Sequence, residues 1–221
     1  LQRRHQKVIE EAPAPLIGAR PELRDALCEA ALKLARSVSY DSVGTVEFIA
    51  NERGEFYFIE MNTRLQVEHP VTERVTGIDL VQAQLRVAAG EPLSLRQEDI
   101  EITGAAIECR ICAEDPMKKL APSPGPLTRF RPPTGEGIRV DAGFEEGHRV
   151  SPYYDSLLAK LICSGTSREE AIARSLAALA RFELEGIASN LPFLATLIEE
   201  EAFREGRYDT RWLEGILKAY M

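Results

Sequence analysis

The sequence predicts an α+β fold, for three reasons. Apolar residues recur at helical spacing between residues 21 and 38. Two stretches rich in β-branched and aromatic residues, 43–50 and 55–62, flank the turn residues 51–54, which is the pattern of a hairpin. Later strand-like and helical segments do not follow a regular β–α–β alternation, so antiparallel pairing is expected.

The first long helix is expected at residues 21–38. Pro21 suits its first turn, where the missing N–H of proline removes no helical hydrogen bond. The residues before it, 12–21, are rich in proline and are expected to form a loop. The apolar face of the helix consists of Leu23, Leu27, Ala30, Leu34 and Val38.

The predicted hairpin, Val43–Ala50 and Glu55–Asn62, gathers acidic side chains on one face. A tight turn of four residues pairs Glu47 with Phe58. Glu60 is then the diagonal neighbour of Glu47, and Asn62 lies beyond it on the same face. The prediction depends on register, because a slip of one residue moves side chains to the opposite face.

Polar and mostly apolar residues alternate along residues 60–68. If this run is extended, its even positions line one face. They are Glu60, Asn62, Arg64, Gln66 and Glu68. A half-buried strand with a solvated polar face is one interpretation. The short or planar binding groups, unlike the lysine and glutamate mixture of an idle surface, favour a site instead. Pro70 is expected to end the run.

Past the hairpin, Asp79 is expected to cap a helix at 80–89, and residues 90–100 are the candidate domain boundary. Further on, Glu108 and Arg110 share the even face of a strand. The expected later segments are a strand at 104–113, a rigid loop at 121–126, short strands near 127–130, 137–141 and 157–163, and helices capped by Ser167, Asn190 and Thr210.

Composition and charge argue against several classes of protein. The 221 residues are 44% hydrophobic and 28% charged, which fits a globular protein with a sizeable core. The net charge of −8 argues against nucleic acid as a partner. No apolar run of about 18 residues is present, so no membrane span is expected. Because the chain opens with Leu1 and charged, motif-like residues, we expect it to begin inside a larger protein.

The four cysteines, Cys28, Cys109, Cys112 and Cys163, are expected to be reduced structural thiols. Cys109 and Cys112 form one C-x-x-C, but a zinc site usually needs a second pair or nearby histidines. Three residues apart on a strand, the two thiols also face opposite ways.

The acidic hairpin predicts a site for a hard cation. Glu47, Glu60 and Asn62 offer only oxygen ligands, which suit Mg²⁺ or Mn²⁺. Mg²⁺ held by one or two carboxylates usually completes its shell with water and nucleotide phosphates, so a phosphoryl-transfer site is the natural interpretation. A hairpin whose acidic residues simply face solvent is the alternative.

The residues that follow can bind and activate an anion. Arg64 can hold a planar oxyanion through its fork of donors, and Gln66 can add an amide donor. Glu68 can act as a base toward whatever Arg64 holds, while Arg110 can stabilise negative charge. For a single arginine on a surface strand, an ordinary salt bridge is the alternative.

Five stretches carry a family resemblance. They are Gln2-Arg3-Arg4-His5-Gln6-Lys7, Phe58-Ile59-Glu60-Met61-Asn62-Thr63-Arg64, Gln66-Val67-Glu68-His69-Pro70-Val71-Thr72-Glu73, Glu108-Cys109-Arg110 and Pro152-Tyr153-Tyr154-Asp155-Ser156. Together they closely resemble biotin carboxylase, the ATP-grasp subunit or domain of biotin-dependent carboxylases such as acyl-CoA carboxylases. The resemblance extends from residue 1 to about residue 215.

The resemblance implies a role for each matching residue. Glu47 and Glu60, assisted by Asn62, would bind Mg²⁺ or Mn²⁺ on ATP. Arg64, Gln66, the Val67 backbone and Lys7 would hold bicarbonate, and Glu68 would remove its proton to give carboxyphosphate. Arg110 would stabilise the biotin enolate, with Asp155 near the biotin. The residues implied to contact the nucleotide are Gln2, His5, Ile49 and Ile187.

The resemblance also implies an incomplete enzyme with two domains. Residues 1–95 would be the C-terminal part of the ATP-grasp domain, and residues 96–221 the biotin carboxylase C-terminal domain. The N-terminal α/β domain, the glycine-rich lid and the biotin attachment motif of the carrier do not occur in the sequence. The chain alone is therefore expected to be inactive, a module that only dimerises or binds a carrier. Another ATP-grasp ligase is the second enzyme interpretation.

The implied partners are the N-terminal half of the same enzyme, a biotin carboxyl carrier domain, a carboxyltransferase and a second copy of the chain in a homodimer. The implied location is the cytoplasm, or the mitochondrial matrix in a eukaryote.

Overall fold

A computed structural model describes residues 1–3 and 5–219. Arg4, which belongs to the first matching stretch, lies outside the described residues, as do Tyr220 and Met221. The chain folds into two compact units. The inserted unit comprises Pro13–Thr103, and the split unit comprises Leu1–Ala12 together with the chain from Gly104 onward. The division into domains 1–95 and 96–221 stays a prediction.

Helices and antiparallel strands both contribute, so the predicted α+β class is confirmed. The helices are α1 (Pro15–Ala19), α2 (Pro21–Ser37), α3 (His69–Thr76), α4 (Leu80–Ala88), α5 (Arg168–Arg181), α6 (Leu191–Glu199), α7 (Glu201–Arg204) and α8 (Trp212–Ala219). The strands are β1 (Gln2–Arg3), β2 (Gln6–Lys7), β3 (Ile9–Ala12), β4 (Thr45–Ala50), β5 (Phe56–Asn62), β6 (Ala105–Cys112), β7 (Glu114–Asp115), β8 (Ala121–Pro122), β9 (Gly125–Pro126), β10 (Arg129–Arg131), β11 (Ile138–Ala142), β12 (Arg149–Val150), β13 (Leu157–Gly165) and β14 (Glu183–Glu185).

In the inserted unit, α2 begins at Pro21 and ends at Ser37, within a residue of the predicted bounds. The expected helix at 80–89 is also present as α4, and the Asp79 side chain accepts a hydrogen bond of 2.7 Å from the backbone N–H of Gln82. Local signals suffice for both helices, because a proline in the first turn and a carboxylate cap each stabilise a helix start.

The hairpin β4–β5 has a different register from the predicted one. Asn51 and Glu55 close the turn: the Asn51 backbone N–H donates to the Glu55 carbonyl at 3.0 Å, and the Asn51 Oδ1 accepts the Glu55 N–H at 3.0 Å. The turn thus shifts the pairing by one residue, and a bulge opposite Glu47 shifts it by one more. Glu47 therefore lies directly opposite Glu60 and not opposite Phe58. Together the two shifts move the pairing by two residues, so each side chain stays on its predicted face and the acidic residues remain together.

The predicted strand Glu55–Asn62 ends at Asn62 as expected, and the extended arrangement considered for residues 60–68 does not continue past that residue. The chain bends at Arg64 and enters α3 at His69, a helix that the sequence analysis did not predict. Pro70 does end the extended run as expected, since it occupies the first turn of that helix.

The split unit is built on a four-stranded antiparallel sheet in the order β11-β13-β6-β3. Helices α5 and α6 pack against its two central strands, so one face of the sheet is apolar. The predicted apolar face of β6 is confirmed, because Ile107, Cys109 and Ile111 lie in the hydrophobic core. The opposite face carries Glu108 and Arg110.

Four smaller expectations need correction. Residues 12–21 contain the short helix α1, and the expected loop at 121–126 contributes the short strands β8 and β9. The Asn190 side chain makes no capping bond, since its amide binds the backbone of β6 instead. Helix α8 begins at Trp212, two residues after the expected cap Thr210.

Among the residues that the model describes, no helix is both long enough and apolar enough to span a membrane.

Candidate active site

A pair of opposed carboxylates marks the end of the β4–β5 hairpin. Glu47 and Glu60 are directly opposite each other. Like charges in that position repel, so they need a positive or hydrogen-donating neighbour. Asn62 is that neighbour: its Nδ2 donates to the Oε1 of Glu47 at 3.1 Å and to the Oε1 of Glu60 at 3.0 Å. One amide thus bridges both acidic groups.

The bend after β5 brings two more predicted residues to this pair. Gln66 is buried, and its Nε2 donates to the Oε1 of Glu47 at 2.6 Å. Arg64 is exposed, and its Nη2 donates to the Oδ1 of Asn62 at 3.3 Å. Glu47, Glu60, Asn62, Arg64 and Gln66 therefore form one connected polar group, here called the carboxylate cluster.

The carboxylate cluster fits a divalent cation bound together with phosphates. Two carboxylates are the usual protein share for Mg²⁺ when a nucleotide supplies the other oxygens. Donated N–H groups of Asn62 and Gln66 now face the carboxylates and supply the positive dipoles. Glu47 and Glu60 would hold such a cation, and its charge would offset the repulsion between the two carboxylates.

Glu68 and Val67 lie in the turn that leads into α3. Glu68 is the residue immediately before the helix and is half-buried, and its side chain makes no capping hydrogen bond. The backbone here is held by His69, whose N–H donates to the Gln66 carbonyl at 3.3 Å and whose Nδ1 contacts the same oxygen at 2.7 Å. These contacts hold the backbone of the turn that leads from the buried Gln66 to Glu68.

Arg110, on β6 of the split unit, is held by a residue that the sequence analysis missed. Its Nε and Nη2 both lie 2.6 Å from the Oε1 of Glu10 on β3. The side chains are 18% and 9% exposed, so the pair is largely shielded from water. Glu10 stands across from Glu108 in the sheet, which makes it the diagonal neighbour of Arg110. Sequence spacing does not relate residues 10 and 110, so no local signal indicated this pair.

The N-terminal hairpin β1–β2 carries three further predicted residues. Gln2 pairs with Lys7 across the strands, and the exposed His5 sits in the turn with φ of +66°. The Nε2 of Gln2 donates to the Thr210 carbonyl at 3.5 Å. The left-handed conformation costs about 1 kcal/mol for a residue other than glycine.

The two isoleucines implied to contact a nucleotide lie in different units. Ile49 is 45% exposed on β4 of the inserted unit. Ile187 packs against the core of the split unit, where Gly125 leaves room for it: a Cβ at Gly125 would lie only 2.9 Å from the Cγ2 of Ile187.

Asp155 is exposed and lines a cavity of about 290 Å³ in the split unit. Behind it, Glu114 forms an ion pair with Arg3 and accepts a hydrogen bond of 2.8 Å from the Ser156 hydroxyl. Glu114 is buried, so these contacts fasten the loop of Asp155 to the N-terminal hairpin. Glu114, like Glu10, was absent from the predicted site.

A row of charged residues continues from Arg110 across the same face of the sheet. Lys160 stands directly across from Arg110 on β13 and lies 3.3 Å from Asp141 on β11, which also binds Arg139 at 2.7 Å. Burial opposes ionisation of Asp141, but the hydrogen bond from Arg139 and the two cations outweigh it and lower its pKa. Each cation on this face thus has a carboxylate beside it.

The C-x-x-C thiols lie in surroundings that favour their protonated form. Burial raises the pKa of Cys109 well above its usual range. Burial, and next the charge of Glu114, raises the pKa of Cys112 to about 12. Both therefore stay protonated at neutral pH, whereas the thiolate is the reactive form.

Known proteins match the chain along nearly its whole length. The family model for the biotin carboxylase C-terminal domain matches residues 108–215, and the model for the ATP-binding domain of the carbamoyl-phosphate synthase L chain matches residues 1–96. Biotin carboxylase 1 of Bacillus subtilis is 50% identical over 97% of this chain and 47% of its own length. The biotin carboxylase of Halalkalibacterium halodurans is 49% identical over 99% of this chain and 48% of its own length.

A solved structure agrees. The biotin carboxylase domain dimer of 2-oxoglutarate carboxylase from Hydrogenobacter thermophilus, in complex with MgADP, ADP and bicarbonate, superposes with a TM-score of 0.95. It is 47% identical and covers 100% of this chain and 48% of its own. This chain spans about half the length of the relatives that it matches. The family model for residues 108–215, these relatives and this structure agree with one another, and the chain belongs to the biotin carboxylase family.

Proposed function

We propose that this chain forms part of an enzyme that carboxylates biotin with ATP and bicarbonate. The observation that carries the proposal is the carboxylate cluster, in which two opposed carboxylates, two amides and an arginine lie within one hydrogen-bonded group. Similarity to biotin carboxylases over about half of their length supports it.

Glu47 and Glu60 would hold the Mg²⁺ or Mn²⁺ that accompanies ATP, with Asn62 as a third oxygen donor. The metal would neutralise charge on the transferring phosphoryl group. Two carboxylates that already face each other need little rearrangement to bind it, which lowers the cost of assembling the site.

Arg64, Gln66 and the Val67 backbone would bind bicarbonate, with Lys7 beside the transferring phosphate. Glu68 would accept the bicarbonate proton as its oxygen attacks the γ-phosphorus, while the bond from that phosphorus to ADP breaks. The product is carboxyphosphate, which then releases CO₂ and phosphate. The exposed guanidinium of Arg64 suits the planar, charged bicarbonate.

Arg110 would stabilise the negative charge that develops on the ureido oxygen when biotin loses a proton. The ion pair with Glu10 supports this role, because an arginine held along one edge keeps a defined direction. Asp155 would lie near the biotin, and its exposed position at a cavity is compatible with that. Gln2, His5, Ile49 and Ile187 would contact the nucleotide.

The whole enzyme would need the rest of the polypeptide, a biotin carrier domain and a carboxyltransferase, and would form a homodimer. The dimeric solved structure of a related domain supports the last point. We further propose that this chain alone does not hydrolyse ATP, since half a nucleotide site cannot exclude water from the reaction. It would then act only as a module for dimerisation or carrier binding.

The test is ADP release by the intact enzyme, with and without bicarbonate and free biotin. We expect release to depend on both, and Glu68→Gln to abolish the bicarbonate-dependent part while nucleotide binding survives. The match of residues 1–96 to a carbamoyl-phosphate synthase domain favours another ATP-dependent ligase as the second candidate. ADP release that ignores biotin would favour that candidate and refute the biotin carboxylase proposal.

A further inference from the structure

The edge of β6 loses its neighbouring strand at Arg110. Strand β3 pairs with β6 from Ala12 to Ile9, and the Val8 carbonyl still accepts the Arg110 N–H at 3.0 Å. The next backbone groups on that edge are the carbonyl of Arg110 and the N–H of Cys112. Backbone groups that are shielded from water need partners, because each unsatisfied one costs free energy.

The side chain of Asn190 supplies both partners. Its Nδ2 donates to the Arg110 carbonyl at 2.9 Å, and its Oδ1 accepts the Cys112 N–H at 2.8 Å. The backbone N–H of Asn190 also donates to the Cys112 carbonyl at 3.1 Å. A carboxamide has the same donor and acceptor as a peptide group, so Asn190 continues the ladder as a strand residue would.

Asn190 is 2% exposed and stands immediately before α6. Asparagine at such a position usually caps the helix, but here its side chain makes no bond to the helix backbone. Both hydrogen bonds described for this side chain are made to the strand that carries Arg110. Asn190 therefore stabilises the strand and not the helix.

We propose that Asn190 is a positioning residue for Arg110. Glu10 fixes the guanidinium, and Asn190 fixes the peptide group from which the side chain projects. The inference rests on the proposed function, since it concerns the direction in which Arg110 faces the biotin. Small displacements of a group that stabilises developing charge are costly, and an error of about 1 Å can lower the rate about a hundredfold.

The test compares Asn190→Asp with Asn190→Ala in the intact enzyme. Asn190→Asp has the same shape and keeps the acceptor for Cys112, but it places an oxygen against the Arg110 carbonyl. We expect the rate of biotin carboxylation to fall about tenfold or more relative to ATP cleavage. The introduced carboxyl should protonate as the pH falls and then donate to that carbonyl, so the rate relative to the native enzyme should recover at low pH. Asn190→Ala should show the loss without the recovery.

Ser175→Ala is the matched control. Ser175 is equally buried in the split unit, and its hydroxyl donates within α5, to the Ala171 carbonyl at 2.8 Å. Its loss should affect the thermal unfolding midpoint but not the ratio of biotin carboxylation to ATP cleavage. Asn190→Ala adds no charge, so it keeps the test open if the charged variant does not fold.

Arg110→Ala separates the two proposals. If Arg110→Ala lowers biotin carboxylation selectively and both Asn190 variants behave like Ser175→Ala, Asn190 is only structural and the inference is overturned. If Arg110→Ala itself lowers biotin carboxylation and ATP cleavage equally, the proposed role of Arg110 fails, and the inference built on it fails with it.

Discussion

Glu10→Gln should weaken biotin carboxylation through Arg110 alone. The amide keeps the size of the carboxylate and one oxygen acceptor, but it removes the charge. A hydrogen bond to a charged group contributes about 1.5–3 kcal/mol and a neutral one about 0.5–1.5 kcal/mol, so the loss is about 1–1.5 kcal/mol. Solvent screening reduces this figure little, because the side chains are only 9% and 18% exposed. If the loss falls on the transition state, biotin carboxylation slows about tenfold.

The assay is a double-mutant cycle on biotin-dependent ADP release by the intact enzyme. Glu10→Gln and Arg110→Met are measured singly and together. Because Glu10 acts through Arg110, Glu10→Gln should have no further effect once Arg110 is replaced. Additive losses in the double variant would show that Glu10 acts independently of Arg110 and would refute the reasoning.

The neighbouring residue provides the control. Glu11 forms an equally shielded ion pair with Arg168, whose Nε lies 2.6 Å from its Oε2, and the side chains are 6% and 18% exposed. Glu11 also accepts a hydrogen bond from the Tyr208 hydroxyl. Glu11→Gln should therefore lower the thermal unfolding midpoint at least as much as Glu10→Gln does, without a selective effect on biotin carboxylation. Equal effects of the two substitutions on the reaction would mean that loss of stability, and not the direction of Arg110, explains both.

Two further outcomes are expected. Glu60→Gln should raise the Mg²⁺ concentration needed for half-maximal ATP cleavage by about tenfold or more. The metal-free protein should become no less stable, because Glu47 loses its like-charged neighbour. An unchanged Mg²⁺ titration would exclude Glu60 as a ligand. Asp141→Asn should lower the thermal unfolding midpoint at pH 7, and the difference from the native protein should shrink as the pH falls below roughly 4. The folded state lowers the pKa of Asp141, so its stabilisation is present above the ordinary carboxyl pKa and is lost as the pH falls through the folded one. A difference independent of pH would contradict this.

Local sequence patterns were sufficient for two of the helices and for the chemistry of the carboxylate cluster. Pro21 and Asp79 act on backbone groups within a few residues, so α2 and α4 could be predicted without any knowledge of packing. The types of residue between 60 and 68 also indicated that a cation and an anion could be bound, because ligand preference follows from side-chain chemistry.

The meeting of those side chains was predicted partly for the wrong reason. Extended alternation was expected to align Gln66 with Glu60, but the strand ends at Asn62. Gln66 reaches Glu47 because the chain bends before α3. The register of the hairpin likewise depended on the closing pair at the turn and on a bulge, and bulges respond to packing across the strands as well as to local sequence.

The residues that support Arg110 could be identified only from the folded chain. Glu10 and Asn190 lie 100 and 80 residues away along the chain, and they contact Arg110 because β3 and the start of α6 meet the same edge of β6. A carboxylate and an amide at those positions are unremarkable in the sequence. Long-range contacts of this kind depend on sheet order and register, which the packing of the whole unit selects. Local sequence patterns therefore cannot predict them.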